Sequence, residues 1–515
     1  MTLKREKNLK DFLALLNKKG VFTDVEYKKI YPRGSQPARI YGLPKIHKMK
    51  NDSDVPPFRP IVSAVNTYNY ALAKYLGTLI SPYLPDEYCA RDTFTFVKEL
   101  KSVSLHNKFL VSYDVTSLFT NIPLNETINL AVAIILKNKK DIKMNKHELK
   151  QLFEIATKET HFLFKGQYYD QIDGVAMGSP LAPILANLFM GHNEKIWINR
   201  YKRSKPYFYK RYVDDIFAVF DDERQANEFF KYINNRHPNI KFTMEIEQNK
   251  QIPFLDILIN NNDTSIVTSV YHKKTYTGLL LNYISFTPST YKIGLIRTLI
   301  DRAYKINNTW TGFDKDVKKL SATLEKNSFP TNIISTEVKN YLSKAINSTN
   351  TSTENDKNGN IRYFKLPYIG YYSSFTKSKI LKLSKNYCKD INVKLVFTSS
   401  KLSSNFCLKD PIPESLKALV VYKFTCASCN ASYIGETTRH LTTRIKEHFR
   451  KKDSHIYMHL DKYKVCKAQS SASCFSVIDT APTEHQLKIK EGLQIKWNKP
   501  TLNRQVKHFN IGLTV

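Results

Sequence analysis

The sequence predicts a multidomain α+β protein, and three observations carry that expectation. The chain has 515 residues, more than one hydrophobic core ordinarily serves. Between residues 35 and 330, apolar strand-like runs alternate with helical ones without an obvious break. Then "NSTNTSTENDKNGN", residues 347 to 360, is almost devoid of apolar side chains. Such a stretch cannot bury enough surface to offset its ordering entropy, so it reads as a linker or a long exposed loop.

Taken in order, "MTLKREKNLKDFLALLNKKG" reads as an amphipathic helix. It lacks the apolar core and small-residue cleavage site of a signal peptide. "FLVSY" is an apolar strand ending on Asp114, followed by a turn into a helix that starts near Pro123. "KRYVDDIFAVF", residues 210 to 220, places Asp214 and Asp215 among the strand-type residues Val213, Ile216, Phe217, Val219 and Phe220. Residues 270 to 330, with "YHKKTYTG" and "GLIRTLIDRAYKI", read as basic and helical. Past the linker a basic helix resumes in "YFKLPYIGYYSSFTKSKILKLSKNY", and a compact segment runs from about Leu416 to the end.

The formal charge is +33, from 79 Lys and Arg against 46 Asp and Glu. An excess of that size opposes folding by self-repulsion, and the common reason to carry it is a polyanionic partner, so nucleic acid is expected. No run approaches the roughly 18 apolar residues of a membrane span, and no membrane partner is expected. Seven cysteines, all but one at or after Cys388, argue against a secreted disulfide framework and for an intracellular protein.

Adjacent carboxylates repel, and burying them unpaired is costly. A dry strand tip keeps Asp214 and Asp215 only if something cationic sits there. Apolar residues flank the pair on both sides in strand alternation, which opposes a plain hairpin turn, and on a strand the two side chains would point to opposite faces. Asp114, at the end of a separate strand, is a candidate third ligand. Strand-borne acids with a pair of Mg²⁺ ions between them make a two-metal phosphoryl-transfer site.

On these residues a resemblance rests. "RYVDDIF" resembles the third palm motif of reverse transcriptases, "SYDVTSLFTNIP" the first, and "GVAMGSPLAPILANLFM" the motif between them. "LPKIHK" and "RPIVSAVNTYNYALAKYL" resemble the fingers motifs, and the wording as a whole, with "IPFLDILI", is similar to that of Penelope-like retroelement polymerases, relatives of telomerase. The resemblance implies a right-hand polymerase, with residues 35–265 as fingers and palm and 266–335 as thumb, after an N-terminal helical segment, 1–34. It implies Asp114, Asp214 and Asp215 as the ligands of Mg²⁺ or Mn²⁺ and Phe119 as a steric gate against the ribose 2′-hydroxyl. It further implies Arg59 as the triphosphate clamp, Lys45 and Lys48 on nucleotide or template, and Gly178 and Ser179 beside the nascent base pair. Asp256, in "FLDILI", falls in the family's motif after the palm, with no role assigned.

After a linker and connector, 336–415, the sequence "ALVVYKFTCASCNASYIGETTRHLTTRIKEHF" reads as strand, strand and helix. Tyr422 and Tyr433 would face one pocket from adjacent antiparallel strands, with Arg444 and His448 one helical turn apart. Glu491 lies on a helix ended before Pro500. Such a set suits phosphodiester hydrolysis: a metal on Glu491, Arg444 on the phosphate, and a tyrosine or His448 helping to activate water. The order of these residues, through Pro500 and Asn503, resembles the GIY-YIG nuclease family, with Val420 and Val421 in place of the Gly-Ile pair. That resemblance implies a small α/β nuclease domain over 416–515. Between the tyrosine strands Cys426 and Cys429 have metal-knuckle spacing; a structural Zn²⁺ would add His459 and Cys466, with His455 as the alternative fourth ligand.

Together the two resemblances imply a nuclear retroelement protein that nicks target DNA and copies element RNA from the exposed 3′-hydroxyl. Its partners would be an RNA template, target and primer DNA and dNTPs, with a homo-oligomer left open. The alternative is a polymerase priming from pre-existing ends, whose C-terminal domain binds DNA without cutting.

Overall fold

The computed structural model describes residues 1–46, 49, 55–103, 107–262, 266–347, 360–387, 390–399, 401, 406 and 409–503. Lys48 and residues 348–359 of the expected linker lie outside the described residues. The chain opens with α1 (Thr2–Lys18) and α2 (Asp24–Ile30). Leu9, Leu13 and Leu16 recur at helical spacing on α1 and are fully buried in the main core, while Thr23 and Glu26 close a capping box on α2. The hairpin β1 (Ala38–Pro44) and β2 (Phe58–Ser63) follows, then α3 (Tyr70–Ile80) and α4 (Thr93–Lys101).

The centre is built from β3 (Phe109–Val115), the short α5 (Leu118–Asn121), α6 (Leu124–Asn138), α7 (Lys146–Thr157), β4 (His161–Phe164) and β5 (Gln167–Asp170). Then come α8 (Ala182–Arg200), β6 (Phe208–Tyr212), β7 (Asp215–Phe220), α9 (Glu223–Asn234) and β8 (Phe242–Ile246). Two four-stranded sheets result, ordered β2-β1-β4-β5 and β6-β7-β3-β8. The second is antiparallel throughout. Past Asp215 every residue of β7 is buried, because apolar layers cover both its faces. Ile216, Ala218 and Phe220 join the core of α6, α8 and α9, whereas Phe217 and Val219 pack with Phe96 and Phe254.

Behind that second layer β9 (Gln251–Phe254), β10 (Ile257–Asn261) and β11 (Ile266–Val270) form a three-stranded sheet. The helices α10 (Ser289–Ile306), α11 (Trp310–Lys326) and α12 (Thr331–Asn347) share a core of their own around Ile296, Phe313 and Leu324. Of the divisions expected from the sequence, the one at 265/266 falls inside the β9–β11 sheet and the one at 335/336 falls inside α12. Register pairing and helix packing carry the chain through both points, where composition does not change.

The expected connector also folds. β12 (Asn360–Pro367), α13 (Tyr371–Tyr387) and β13 (Ile391–Thr398) make a βαβ unit with its two strands parallel. The C-terminal domain comprises β14 (Val420–Thr425), β15 (Ser432–Thr437), α14 (Leu441–Arg450), α15 (His455–Lys462), α16 (Lys464–Gln469), β16 (Phe475–Thr480) and α17 (Glu484–Asn498). Its sheet is antiparallel, ordered β15-β14-β16. This domain seats on the N-terminal part of the chain. The Nε2 atom of buried His440 lies 2.7 Å from the Ser35 carbonyl oxygen. At Gly34 (φ +63°) a Cβ would come within 2.5 Å of the Ala418 side chain, so the two bodies meet where only glycine fits.

Candidate active sites

The first site lies at one end of the β6-β7-β3-β8 sheet. Asp114 on β3 stands opposite Asp215 on β7 in the antiparallel register. Tyr212 pairs with Asp215, so the β6–β7 connection is only Val213 and Asp214. This corrects the expectation of one strand running through the dyad: Asp214 sits in a two-residue turn and Asp215 opens the second arm. The apolar flanks belong to two arms of a hairpin, and strand alternation resumes so soon after a two-residue turn that it imitates a continuous strand.

Val213 has φ +57°, a conformation β-branched residues avoid. Turns of this length need positive φ at their first central position and ordinarily take Gly, Asn or Asp there. Strain of this kind costs about 1–3 kcal/mol and persists only where the surroundings over-determine it. Here they do. Arg211, fully buried, donates from Nη1 to the Val213 carbonyl oxygen at 3.0 Å and to Asn187 Oδ1 at 2.9 Å. Its Nε donates to Glu194 Oε1 at 2.8 Å, an oxygen that also accepts from the Tyr209 hydroxyl at 2.8 Å. From the other side the Val115 amide donates to the Asp214 carbonyl oxygen at 2.9 Å. Reading the sequence by motif passed over Arg211 and Glu194; the signal was a strong base inside a strand otherwise destined for the core.

Burial pushes the Asp215 carboxyl up to about 6, and the negative charges of Asp214 and Asp114 push the same way, against Lys273. Asp215 therefore feels both other acids across the sheet end, a repulsion that a divalent cation would relieve. They are not drawn into a closed cage. Among the described residues, only Cys426, Cys429, His459 and Cys466 form a group whose ligand atoms all lie within 4.8 Å of one another. Like charges hold carboxylates apart, and Mg²⁺ in phosphoryl transfer is ordinarily completed by substrate phosphates and water.

The other expected polymerase residues are spread around this centre. Phe119, half-buried, packs on the edge of the main core. Arg59 is exposed on β2, in register with Leu43 of β1, and Lys45 donates its amide to the Pro57 carbonyl oxygen. Gly178 has φ +125°, and a Cβ there would lie 2.3 Å from the Val62 carbonyl oxygen, so its glycine is required by the approach of its loop to β2. Ser179 is buried, its Oγ accepting from the Leu181 amide at 3.3 Å. Asp256 gains a structural role: it accepts from Thr93 Oγ1 at 2.9 Å and pairs with Arg302 of α10 at 2.5 Å.

The second site lies in the C-terminal domain. Tyr422 on β14 pairs with Gly435 on β15, where a Cβ would stand 2.6 Å from the Tyr422 hydroxyl; the glycine makes room for that oxygen. The hydroxyl is 2.6 Å from His448 Nε2 and accepts from Arg444 Nε at 3.2 Å. His448 Nδ1 lies 2.6 Å from Ser454 Oγ, and the Tyr433 ring stands edge-on to His448 with centroids 5.5 Å apart. Burial, reinforced by the Arg444 charge, lowers His448 to about 4. Glu491 on α17 is pushed up to about 7 by burial and by Glu436, a carboxylate the motif reading passed over. The Glu436 Oε2 atom is buried without a hydrogen-bond partner among the described residues. Asn503 fixes the following segment to β15, accepting from the Ile434 amide at 2.9 Å and donating to the Ile434 carbonyl oxygen at 2.7 Å.

Cys426, Cys429, His459 and Cys466 come together beside this site. Burial alone would raise the Cys426 thiol, but hydrogen bonds from His459 and from the Ser428 and Cys429 amides bring it down to about 6. Burial and hydrogen bonds with Cys426 and Cys429 push Cys466 up to about 11. One thiol poised to ionise among sulfur and imidazole donors is the chemistry of a tetrahedral zinc site. His455, the alternative fourth ligand, lies outside the group; its ring sits 6.2 Å from that of Tyr433.

Residues 47–256 match the family described as reverse transcriptase (RNA-dependent DNA polymerase), so the chain carries a reverse transcriptase domain that includes all three aspartates. Residues 279–339 match the animal helix-turn-helix domain, over the helices α10, α11 and part of α12. Among solved structures, telomerase from Candida albicans with a fragment of telomeric RNA is similar at 12% identity and TM-score 0.37, over 62% of this chain and 65% of that one. Telomerase from Candida Tropicalis gives 11% and 0.36, over 62% and 55%, and the BmCPV RNA-dependent RNA polymerase gives 15% and 0.33, over 57% and 26%. The chain thus spans 65% and 55% of the two telomerase chains. No curated protein matches it.

Proposed function

We propose that the chain is the RNA-directed DNA polymerase of a Penelope-like retroelement, acting in the nucleus. Its C-terminal domain, of GIY-YIG type, nicks target DNA, and its reverse transcriptase domain extends the exposed 3′-hydroxyl on element RNA. The observation that carries the polymerase reading is Asp114 facing Asp215 across β3 and β7, with Asp214 in the adjoining turn, inside the region matched by the reverse transcriptase family. Asp114, Asp214 and Asp215 would hold Mg²⁺ or Mn²⁺, which acidifies the primer hydroxyl and neutralises the departing pyrophosphate. Phe119 would exclude ribonucleotides, Arg59, Lys45 and Lys48 would bind nucleotide and template, and Gly178 and Ser179 would border the new base pair.

For the nuclease, the support is the chain of hydrogen bonds through Tyr422. With His448 neutral and its Nδ1 proton given to Ser454, Nε2 accepts from the Tyr422 hydroxyl. Tyr422 can then pass its proton to His448 while taking one from the water that attacks phosphorus. Arg444 stabilises the phenolic oxygen and the phosphate; Tyr433 walls the pocket; Glu491 would hold the cation. Cys426, Cys429, His459 and Cys466 would hold a structural Zn²⁺.

Two assays test the proposal. Purified protein with Mg²⁺ is expected to extend a primer on a homopolymeric RNA template, and Asp214→Ala to abolish extension; equal activity of that variant ends the polymerase reading. Supercoiled plasmid is expected to be nicked by the wild type and spared by Glu491→Ala. Extension without nicking under varied metal and salt would replace the cutting domain by one that only binds DNA.

A further inference from the structure

The β12–α13–β13 unit takes part in neither site, yet its surface is unlike the rest of the molecule. Its strands and crossover helix bury only one residue of α13, Ser373. Tyr371, Tyr372 and Phe375 are 85%, 68% and 59% exposed, although aromatic side chains in a unit of this size would ordinarily build its core. Residues 360–398 also hold eight lysines and arginines against the single acid Asp390. Among the described residues, Lys377, Lys382 and Lys385 form no ion pair, and Lys379 Nζ lies 5.3 Å from the centre of the Phe375 ring.

The arrangement on the helix is informative. At roughly 100° per residue, Tyr371, Phe375, Lys382, Lys379 and Tyr372 fall within one arc, while Ser373, Ile380 and Ser384 fall on the opposite, half-buried or buried side. A helix lying on a membrane separates its aromatic and cationic faces; here rings and ammonium groups alternate on one face. That interleaving suits a polymer with flat apolar bases and a regularly charged backbone. On the sheet, Tyr363 lies in register with Lys394 and repeats the same pairing of ring and cation. The unit also abuts α10 and the segment before it: the Tyr368 and Phe286 rings are 5.0 Å apart, and the Tyr291 hydroxyl donates to the Phe397 carbonyl oxygen.

We propose that the exposed arc of α13 binds an unpaired nucleic-acid strand, with bases stacked on Tyr371, Tyr372 and Phe375 and phosphates against the interleaved lysines. This goes beyond the polymerase and nuclease reading and does not require either activity. RNA and DNA share the recognised chemistry, so both are tested.

The full chain, without nucleotides, is titrated into fluorescein-labelled oligo(rU), oligo(dT) and a duplex of equal length, and anisotropy is read across a salt series. Tyr371→Ala/Tyr372→Ala/Phe375→Ala is expected to weaken single-strand binding about 10- to 100-fold, as loss of base stacking does, with duplex binding within about twofold. Lys379→Gln/Lys382→Gln/Lys385→Gln is expected to flatten the salt dependence by about 0.7 in log–log slope for each lysine that meets a phosphate. Photo-crosslinking with 4-thiouracil- or bromouracil-bearing strands should label the peptide spanning residues 371–387. All substituted side chains are exposed, so thermal melts should match the wild type. Unchanged single-strand affinity and salt slope with no label on that peptide overturns the proposal. So does an effect seen instead on self-association in sedimentation or on binding to anionic vesicles, which would assign the face to a second copy or a lipid surface.

Discussion

Two hairpin turns in the polymerase region share one backbone design and differ in what surrounds them. Val213–Asp214 joins β6 to β7, and Leu255–Asp256 joins β9 to β10. Each has an apolar residue at positive φ, +57° and +55°, where glycine or asparagine would be easier, and each follows it with an aspartate. The second turn meets a cation: Asp256 pairs with Arg302 of α10 and accepts from Thr93 of α4, so its charge ties the sheet to the helical region. At the first turn burial raises the Asp215 carboxyl, and the charges of Asp214 and Asp114 raise it further, against the opposing charge of Lys273. Identical local geometry thus yields a strut in one place and a candidate catalytic centre in the other. The charge environment makes the difference, and the turn alone does not.

The largest expected effect separates the two turns outright. Asp214→Ala or Asp114→Asn should lower primer extension by at least about 10³-fold, since metal-held charge at the reacting phosphate is lost. Asp256→Asn should leave single-nucleotide addition within about twofold. If the two aspartates cost the same, the distinction drawn from their surroundings is wrong.

Next in size comes the buried support of the first turn. Removing Arg211 alone would leave Glu194 buried and unpaired, at a cost of about 3–5 kcal/mol, so the sharper variant is Arg211→Met/Glu194→Met. Replacing a buried pair by apolar residues of similar volume is often neutral or stabilising, but the Tyr209 hydroxyl loses its acceptor and Asn187 its donor, so the melting temperature should fall by a few degrees at most. Catalysis should still fall about 10²-fold in kcat with KM for dNTP little changed, because the turn loses the donor at the Val213 carbonyl and small misplacements are costly. Partial recovery in Arg211→Lys/Glu194→Gln would mark positioning; a double variant with wild-type kcat would show that the strained turn holds itself.

A smaller effect is expected at the strut. Arg302→Met and Asp256→Asn should each shorten the products made per binding event by a few fold while leaving the first addition intact, since the α10 helix is then free to shift against the β9–β10 turn. Charge exchange, Asp256→Arg/Arg302→Asp, should restore product length in part. Equal losses in first addition and product length would instead place Asp256 in the chemistry.

Most of this organisation was legible in the chain itself, for physical reasons that also mark where legibility stopped. The order of the aspartates, the two tyrosines, Arg444, His448 and Glu491 could be read because such residues are rare in apolar runs. The choice between Cys466 and His455 could not: His455 and His459 share a helix face, and only the fold turns one of them toward Tyr433. The two-residue turn at Val213 was hidden because alternation continues on either side of it. Nor could any local pattern reveal Arg302 or Glu194, whose partners lie 46 and 17 positions away. The folded βαβ unit of residues 360–398 was missed because its apolar side chains stay exposed, which makes its composition resemble a connector.

The smallest effect has opposite signs at the two turns and needs no catalysis to measure. A carboxyl that titrates near 6 in the folded chain, against an ordinary 3.8, binds its proton more tightly folded than unfolded. Between those values the folded state holds the extra proton, so the Asp215 contribution to stability falls as pH rises through about 4 to 6 and stays unfavourable above it. Asp215→Asn should therefore match the wild-type melting temperature near pH 4 and exceed it by a few degrees near pH 7.5. Saturating Mg²⁺ at pH 7.5 should close that gap by stabilising the wild type alone. Asp256→Asn, which gives up its pairing with Arg302, should melt lower than the wild type at pH 7.5, with or without Mg²⁺. Were Asp215→Asn also to melt lower at that pH, its charge would be compensated within the fold, and the cation demand inferred at the first turn would vanish with it.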